Sequence, residues 1–173
     1  MRELADAQRI TRFMQVLGRE ADEEANAYFT GGATAVLLGW RESTIDVDVL
    51  LVPENDRALR ALPRIKNELA INVELASPAD FIPAPTGWQE RSLFVGREGK
   101  LSFHHFDLYA QALAKLERAH QRDLEDVAAM LDRGLIDREQ ALEYFDQIEP
   151  KLYRFPAIDP GSFRRRVEET LRR

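Results

Sequence analysis

An apolar run from Ile45 to Val52 is broken at alternate positions by Asp46 and Asp48, and no other stretch limits the possible folds of the chain as tightly. Alternation over this length predicts a strand, with Val47, Val49 and Leu51 on one side and Asp46, Asp48, Leu50 and Val52 on the other. Both aspartates then face the same way. Carboxylates that interrupt an otherwise buried strand are costly unless something of opposite charge meets them, and a metal ion is such a partner.

The residues ahead of this strand carry a second signal. Asn26–Thr30 contains Tyr28 and Phe29 and reads as a short strand that stops at Gly31-Gly32. Ala33–Leu38 shows no alternation, starts with small residues and ends at Gly39, which predicts a short buried helix. Earlier still, Ile10, Phe13, Met14 and Leu17 recur at helical steps between Glu3 and Asp22.

Beyond Val52, Asn55 is placed to cap a helix to about Glu68, with Leu59, Leu62, Ile65 and Leu69 on one face and Pro63 expected to kink or split it. Ala70–Leu75 predicts a further strand in which Asn72 and Glu74 share a face. Pro78, Pro83, Pro85 and Gly87 punctuate Ser77–Trp88 as an ordered loop. Ser92–Val95 and Lys100–Phe106 flank Gly96–Gly99 as a hairpin, after which the pattern is helical over 108–119, 122–131 and 137–148. Asp137 with Gln140 resembles a capping box. Residues 150–160 read as a linker, and Phe163–Leu171 as a last helix. The order of elements argues for an α+β fold, with a sheet core over residues 1–106 and a helical C-terminal part over 107–173 packed on it as a single compact unit.

Composition narrows the function classes. A chain of 173 residues that is 45% hydrophobic holds one proper core, and a net charge of −6 gives no global attraction for nucleic acid. The absence of cysteine removes disulfide and thiol chemistry. No apolar run approaches the roughly 20 residues of a membrane span, and the first turns are acidic, so a soluble cytoplasmic protein with no membrane partner is expected.

Phosphoryl chemistry needs two things this arrangement offers. Backbone N–H groups at a glycine turn leading into a helix can approach a triphosphate that a side chain would obstruct. Carboxylates at positions i and i+2 of a strand lie about 6.5–7 Å apart at their Cα atoms and can jointly hold Mg²⁺. Glu74, on the next strand, is the candidate third carboxylate. Taken singly, a Gly-Gly pair is ordinarily a turn and an Asp-x-Asp a solvated strand face, so the argument rests on the combination. His104 and His105, adjacent on a strand, point to opposite faces. The Arg164-Arg165-Arg166 run with Arg172 and Arg173 is either a local RNA-binding patch or a solvated helix balanced by Glu168 and Glu169.

Gly31-Gly32, thirteen intervening residues, then Asp46-Val47-Asp48 resembles the signature of the nucleotidyltransferase superfamily that includes DNA polymerase β, and more closely its small bacterial branch of AbiEii-type toxins. Arg41 and Thr44, the Asn72–Pro78 run with Phe81-Ile82-Pro83 and Trp88, and Lys115 with Arg122-Asp123 and Asp126 are similar to a family of small uncharacterised nucleotidyltransferase-like proteins. The resemblance implies a mixed sheet flanked by helices, with Thr30, Gly31, Gly32, Arg41 and Thr44 around a nucleotide. It also implies Asp46, Asp48 and Glu74 as carboxylates for Mg²⁺ or Mn²⁺, and Lys115 on the nucleotide phosphates with Asp126 nearby. The activity implied is transfer of a nucleoside monophosphate from an NTP to a hydroxyl of RNA, such as a tRNA end, or of a protein, in a toxin–antitoxin module. The alternative is a non-catalytic binding protein of the same fold, an antitoxin or partner-binding component.

Overall fold

The computed structural model describes residues 2–173. The chain forms two compact units: the first runs to Ser77 and resumes over Ser92–His105, and the second takes Pro78–Arg91 and Phe106–Arg173. Among the described residues, no helix is long and apolar enough to cross a membrane.

The first unit starts with a short strand β1 (Ala5–Asp6), which pairs antiparallel with β3 (Ser43–Thr44). The helix expected from Glu3 therefore begins later, as α1 (Ala7–Glu20), where the Asp6 carboxylate accepts a hydrogen bond from Arg9 N–H at 2.9 Å. Next come β2 (Ala25–Thr30), α2 (Gly32–Leu38), β4 (Asp46–Val52) and α3 (Asp56–Leu69). Asn55 caps α3 by accepting from Ala58 N–H at 3.0 Å. Pro63 neither ends nor splits this helix: Ala58, Ala61, Leu62 and Ile65 on its inner face are buried, and that packing outweighs one missing amide bond.

Ala70 adopts the left-handed conformation that closes α3, so the following strand β5 runs only over Asn72–Leu75. The hairpin strands β6 (Leu93–Glu98) and β7 (Leu101–His105) extend through Gly96 and Arg97, and the turn expected at Gly96–Gly99 shrinks to Gly99-Lys100. Pairing with β7 carries the backbone past the glycine by means of an irregularity between Phe94 and Gly96.

Five strands form one mixed sheet in the order β5-β4-β2-β7-β6. The central strand β2 is antiparallel to β4 and parallel to β7, and β4 is parallel to β5. One face packs Ala27, Phe29, Val47, Val49, Leu51, Val73 and Phe103 in a core with Ile10, Phe13, Leu17, Leu62 and Ile65 of α1 and α3. Alternation puts Asn26, Tyr28, Thr30, Asp46, Asp48, Asn72, Glu74 and His104 on the other face.

The second unit is helical. A 3-10 turn over Pro78–Asp80 lies in the segment expected to be an ordered loop, and the short helix α4 (Trp88–Arg91) starts at its end. Trp88 stacks on Phe106, with ring centroids 4.1 Å apart. Then follow α5 (Leu108–Arg118), α6 (Gln121–Asp132), α7 (Arg138–Ile148) and α8 (Pro160–Leu171). Asp137 caps α7 through Gln140 N–H at 2.9 Å, while the Gln140 side chain turns to Glu143 and leaves the expected capping box half formed. The expected linker contains a 3-10 segment, Glu149–Arg154, and α8 begins at Pro160 rather than Phe163 because Asp159 caps it and proline suits a first helical position. Phe145, Ile148, Phe163, Val167, Leu113 and Leu116 are buried within this unit.

Candidate active site

β2 ends at Thr30, and the backbone turns at Gly31 (φ 62°, ψ −129°) into α2. That positive φ is strained for any residue with a side chain. A Cβ at Gly31 would also stand 3.1 Å from Asp48 Oδ2, and one at Gly32 would overlap Thr44 Oγ1 at 1.9 Å. The two glycines let the turn lie directly against Asp48 and Thr44. Thr44 is buried and donates from Oγ1 to the Asp46 carbonyl at 3.1 Å, which ties the short strand before β4 to the first carboxylate-bearing residue.

Strand register supplies the remainder. Thr30 lies opposite Asp48 across β2 and β4, while Asp48 lies opposite Glu74 and Asp46 opposite Asn72 across β4 and β5. Asp46, Asp48 and Glu74 thus share one face of neighbouring strands, with the Gly31 turn against the middle one. Arg41, three positions before Thr44, is half-buried in the segment after α2.

Asn72 is the member that sequence reasoning passes over. Its Nδ2 donates to Asp46 Oδ1 at 2.6 Å and to Glu74 Oε1 at 3.3 Å, so one neutral amide touches two of the three carboxylates. Its sequence signals are its spacing of two from Glu74 on a strand and its place at the head of the Asn72–Pro78 run.

Among the described residues, no group of three or more His, Asp or Glu side chains is arranged to hold a metal ion unaided. Mg²⁺ seldom requires such a cage: it is ordinarily held by one or two carboxylates and completes its shell with water and substrate phosphate oxygens. The hard oxygens of Asp46, Asp48 and Glu74, in register on adjacent strands and reached by a side-chain-free turn, fit a cation of that kind.

Lys115 and Asp126 belong to the second unit. Lys115 Nζ meets Asp126 Oδ2 at 2.7 Å and Asp123 Oδ1 at 3.9 Å, with the Lys115 side chain 7% exposed. Its ammonium, which the resemblance assigns to nucleotide phosphates, is answered inside the helical unit. Arg118 adds a two-pronged contact to Asp123 at 2.7 and 2.9 Å. Burial by itself would push the Asp123 carboxyl up, but Arg118 and Lys115 hold it below the usual carboxylate range.

The two histidines divide as alternation requires. His104 stacks on Tyr28 and contacts Asn26 on the carboxylate-bearing face, whereas His105 is buried with Nδ1 2.9 Å from Thr34 Oγ1 on α2. Burial, with His104 alongside, pushes the His105 imidazole down to about 4, so it is neutral near pH 7. Several of the C-terminal arginines make contacts within the helical unit. Arg164 pairs with Asp146, Glu149 and Glu168, Arg166 donates to the Leu116 and Glu117 carbonyls at the end of α5, and Arg173 donates to the Glu169 carbonyl. Arg165, between Arg164 and Arg166, is exposed.

A mixed sheet that sets a glycine turn beside carboxylates on neighbouring strands defines the nucleotidyltransferase class. The chain belongs to the family described as "Nucleotidyltransferase of unknown function (DUF6036)", which matches residues 7–151. The match includes the glycine turn, all three carboxylates and the Lys115–Asp126 pair, and it stops before α8. No curated protein and no solved structure matches the chain.

Proposed function

We propose that this protein transfers a nucleoside monophosphate from an NTP to an acceptor hydroxyl with release of pyrophosphate. The observation that carries the reading is the contact between the Gly31 turn and Asp48, whose strand partner is Glu74. A triphosphate lying along backbone N–H groups at Gly31 and Gly32 would reach Asp48 without crossing a side chain.

In this reaction the acceptor oxygen forms a bond to the α-phosphorus while the bond from that phosphorus to the bridging oxygen breaks, and pyrophosphate leaves. Glu74, exposed at the edge of the sheet, takes the proton from the acceptor hydroxyl. Asp46 and Asp48 would hold Mg²⁺ or Mn²⁺, which when bound supplies charge neutralisation at the phosphates. Thr44 keeps Asp46 in place through the Asp46 carbonyl, and Arg41 supplies a cationic side chain to the nucleotide. The Lys115–Asp126 pair braces the helical unit.

The test is incubation with α-labelled NTPs, Mg²⁺ or Mn²⁺, and either total RNA or a protein extract. Label in one acceptor pool, lost with Asp46→Ala, supports the reading and separates RNA from protein acceptors. Absence of transfer in both pools, with nucleotide binding unaffected by Asp46→Ala, would refute it in favour of a non-catalytic binding protein.

A further inference from the structure

A strand whose outer main chain faces water is a template for another strand, so the two ends of a sheet differ by what covers them. Here the ends are β5 and β6. In the middle of β5, Val73 is 2% exposed, so that edge is covered there. On β6, Leu93 is 43% and Phe94 64% exposed. The direction of the β6 main chain follows from its neighbours. Ala25 N–H donates to the Lys100 carbonyl at 3.1 Å, so in the parallel pair of β2 and β7 the main chain of Ser102 and His104 turns to β2, and that of Leu101, Phe103 and His105 turns to β6. His105 and Phe103 meet Leu93 and Gly96, which leaves the N–H and C=O of Phe94, opposite His104, pointing away from the sheet. No hydrogen bond from the described residues reaches them.

We propose that β6 is the interface of a homodimer, in which the β6 strands of two copies pair antiparallel about a two-fold axis at Phe94. Leu93 and Phe94 are consecutive in a strand and so stand on opposite faces of the sheet, with Phe94 edge-on to His104. A helix laid on one face would cover one of them, whereas a strand added at the edge covers both. The sequence around Phe94 selects a second copy as that strand. With Phe94 opposite Phe94, each copy donates its Phe94 N–H to the Phe94 carbonyl of the other, at Cα atoms about 5.5 Å apart. Leu93 then lies opposite Val95 of the second copy, and Val95 opposite its Leu93, so apolar meets apolar at all three positions. A register that brought Phe94 opposite Arg97 would instead set Leu93 against Glu98.

The strand itself bounds this pairing. After Val95 its ladder is irregular, and Arg97 is turned to both carboxylate oxygens of Glu24, at 2.6 and 2.8 Å. Bulges and charges are the devices that keep an edge from pairing; they stand on the second half of β6 and are missing from Leu93–Val95. A two-fold contact uses the same patch on both copies and closes at two. It joins two five-stranded sheets into one and leaves Asp46, Asp48 and Glu74 toward the far edge, on β4 and β5. The dimer is independent of the proposed reaction.

The experiment follows sedimentation of the full chain over about 1–500 μM, since a contact of one strand edge is expected to be half formed at about 10–100 μM. Wild type is expected to pass from one chain to two across that range. Phe94→Asp and Phe94→Lys each set like charges face to face and are expected to weaken the dimer about tenfold or more. An equimolar mixture of the two is expected to recover it, because residue 94 meets only its own copy. Phe94→Pro suits an edge position whose N–H points outward, so it keeps the β6–β7 ladder and is expected to be a single chain. The chain has no cysteine, so Phe94→Cys is expected to cross-link to its own copy on mild oxidation, and Arg97→Cys to stay single. A wild type that remains one chain throughout overturns the dimer and leaves the edge to a strand of another protein. A dimer that survives both Phe94→Asp and Phe94→Pro, or an assembly that grows beyond two, overturns it as well.

Discussion

In the first unit, Asp46, Asp48 and Glu74 stand on one face of β4 and β5, and the group that bridges two of them is the neutral amide of Asn72. In the second, Asp123 and Asp126 are buried between α5 and α6, and each meets a cation: Asp126 meets Lys115, and Asp123 meets Arg118. The two clusters look alike as a count of acidic residues. Their difference lies in what answers the charge. In the second cluster, cations of α5 meet carboxylates of α6 and join the two helices. In the first, the Asn72 amide spans Asp46 and Glu74, and Asp48 lies against the glycine turn. Surroundings, more than acidity, distinguish the two clusters.

The strongest way to test this contrast is to remove charge from the cluster on the sheet. Asp48→Asn keeps the shape and is expected to reduce nucleotidyl transfer by about a thousandfold or more, as loss of a metal-bearing carboxylate does. If Asp48 serves the proposed reaction rather than the fold, stability should stay within about 1 kcal/mol of wild type. Label transfer and urea unfolding of the same preparation check both halves. A variant that transfers normally but unfolds several kcal/mol more easily would make that cluster structural.

The complementary variant is Lys115→Met. It leaves Asp126, which is 1% exposed, without its cation, and breaking a buried pair in this way is expected to cost about 3–5 kcal/mol. Lys115→Met combined with Asp126→Leu should regain most of that loss, since apolar replacement of a whole buried pair is often neutral. Urea midpoints of the three proteins measure it. If the double variant folds but no longer binds nucleotide, the brace is also part of the site and the contrast fails on that side.

How far these differences are legible without coordinates depends on range. Facing within β4 is local: alternation from Asp46 to Val52 states which residues meet the core, and the strand obeys it. The strand partners are not local. Nothing in Asn72–Leu75 says that β5 runs parallel to β4 with Asn72 opposite Asp46, and without that register the amide between Asp46 and Glu74 cannot be inferred. The same limit explains the elements whose bounds moved. Pro63 and Gly96 are breakers by local rules, yet α3 passes through one and β6 through the other because burial and strand pairing act over a distance. Ala5–Asp6 has no strand signal of its own and becomes one only by pairing with Ser43–Thr44. Lys115 is the converse case: similarity places it near phosphates, while only tertiary structure shows its ammonium against Asp126.

The smallest expected effect sharpens the contrast by adding a buried polar group that carries no charge. His105 is 3% exposed beneath the carboxylate-bearing end of the sheet, bonded to Thr34 at 2.9 Å. Burial pushes its imidazole from an ordinary 6.5 down to about 4. The unfolded chain therefore takes up a proton as pH falls through 6.5, whereas the folded chain resists until about pH 4. Between those values the unfolded state binds more protons, so stability is full above pH 6.5 and falls as the solution is acidified, by about 3 kcal/mol at the lower end. Asp123, whose folded value is lowered, adds its own loss only below its ordinary 3.8, so the two windows separate. His105→Gln removes the titrating ring, and urea unfolding from pH 7 to 4 should then be flatter than wild type. An unchanged slope would mean that His105 is protonated in the folded chain, with a charged rather than a neutral ring beside Thr34.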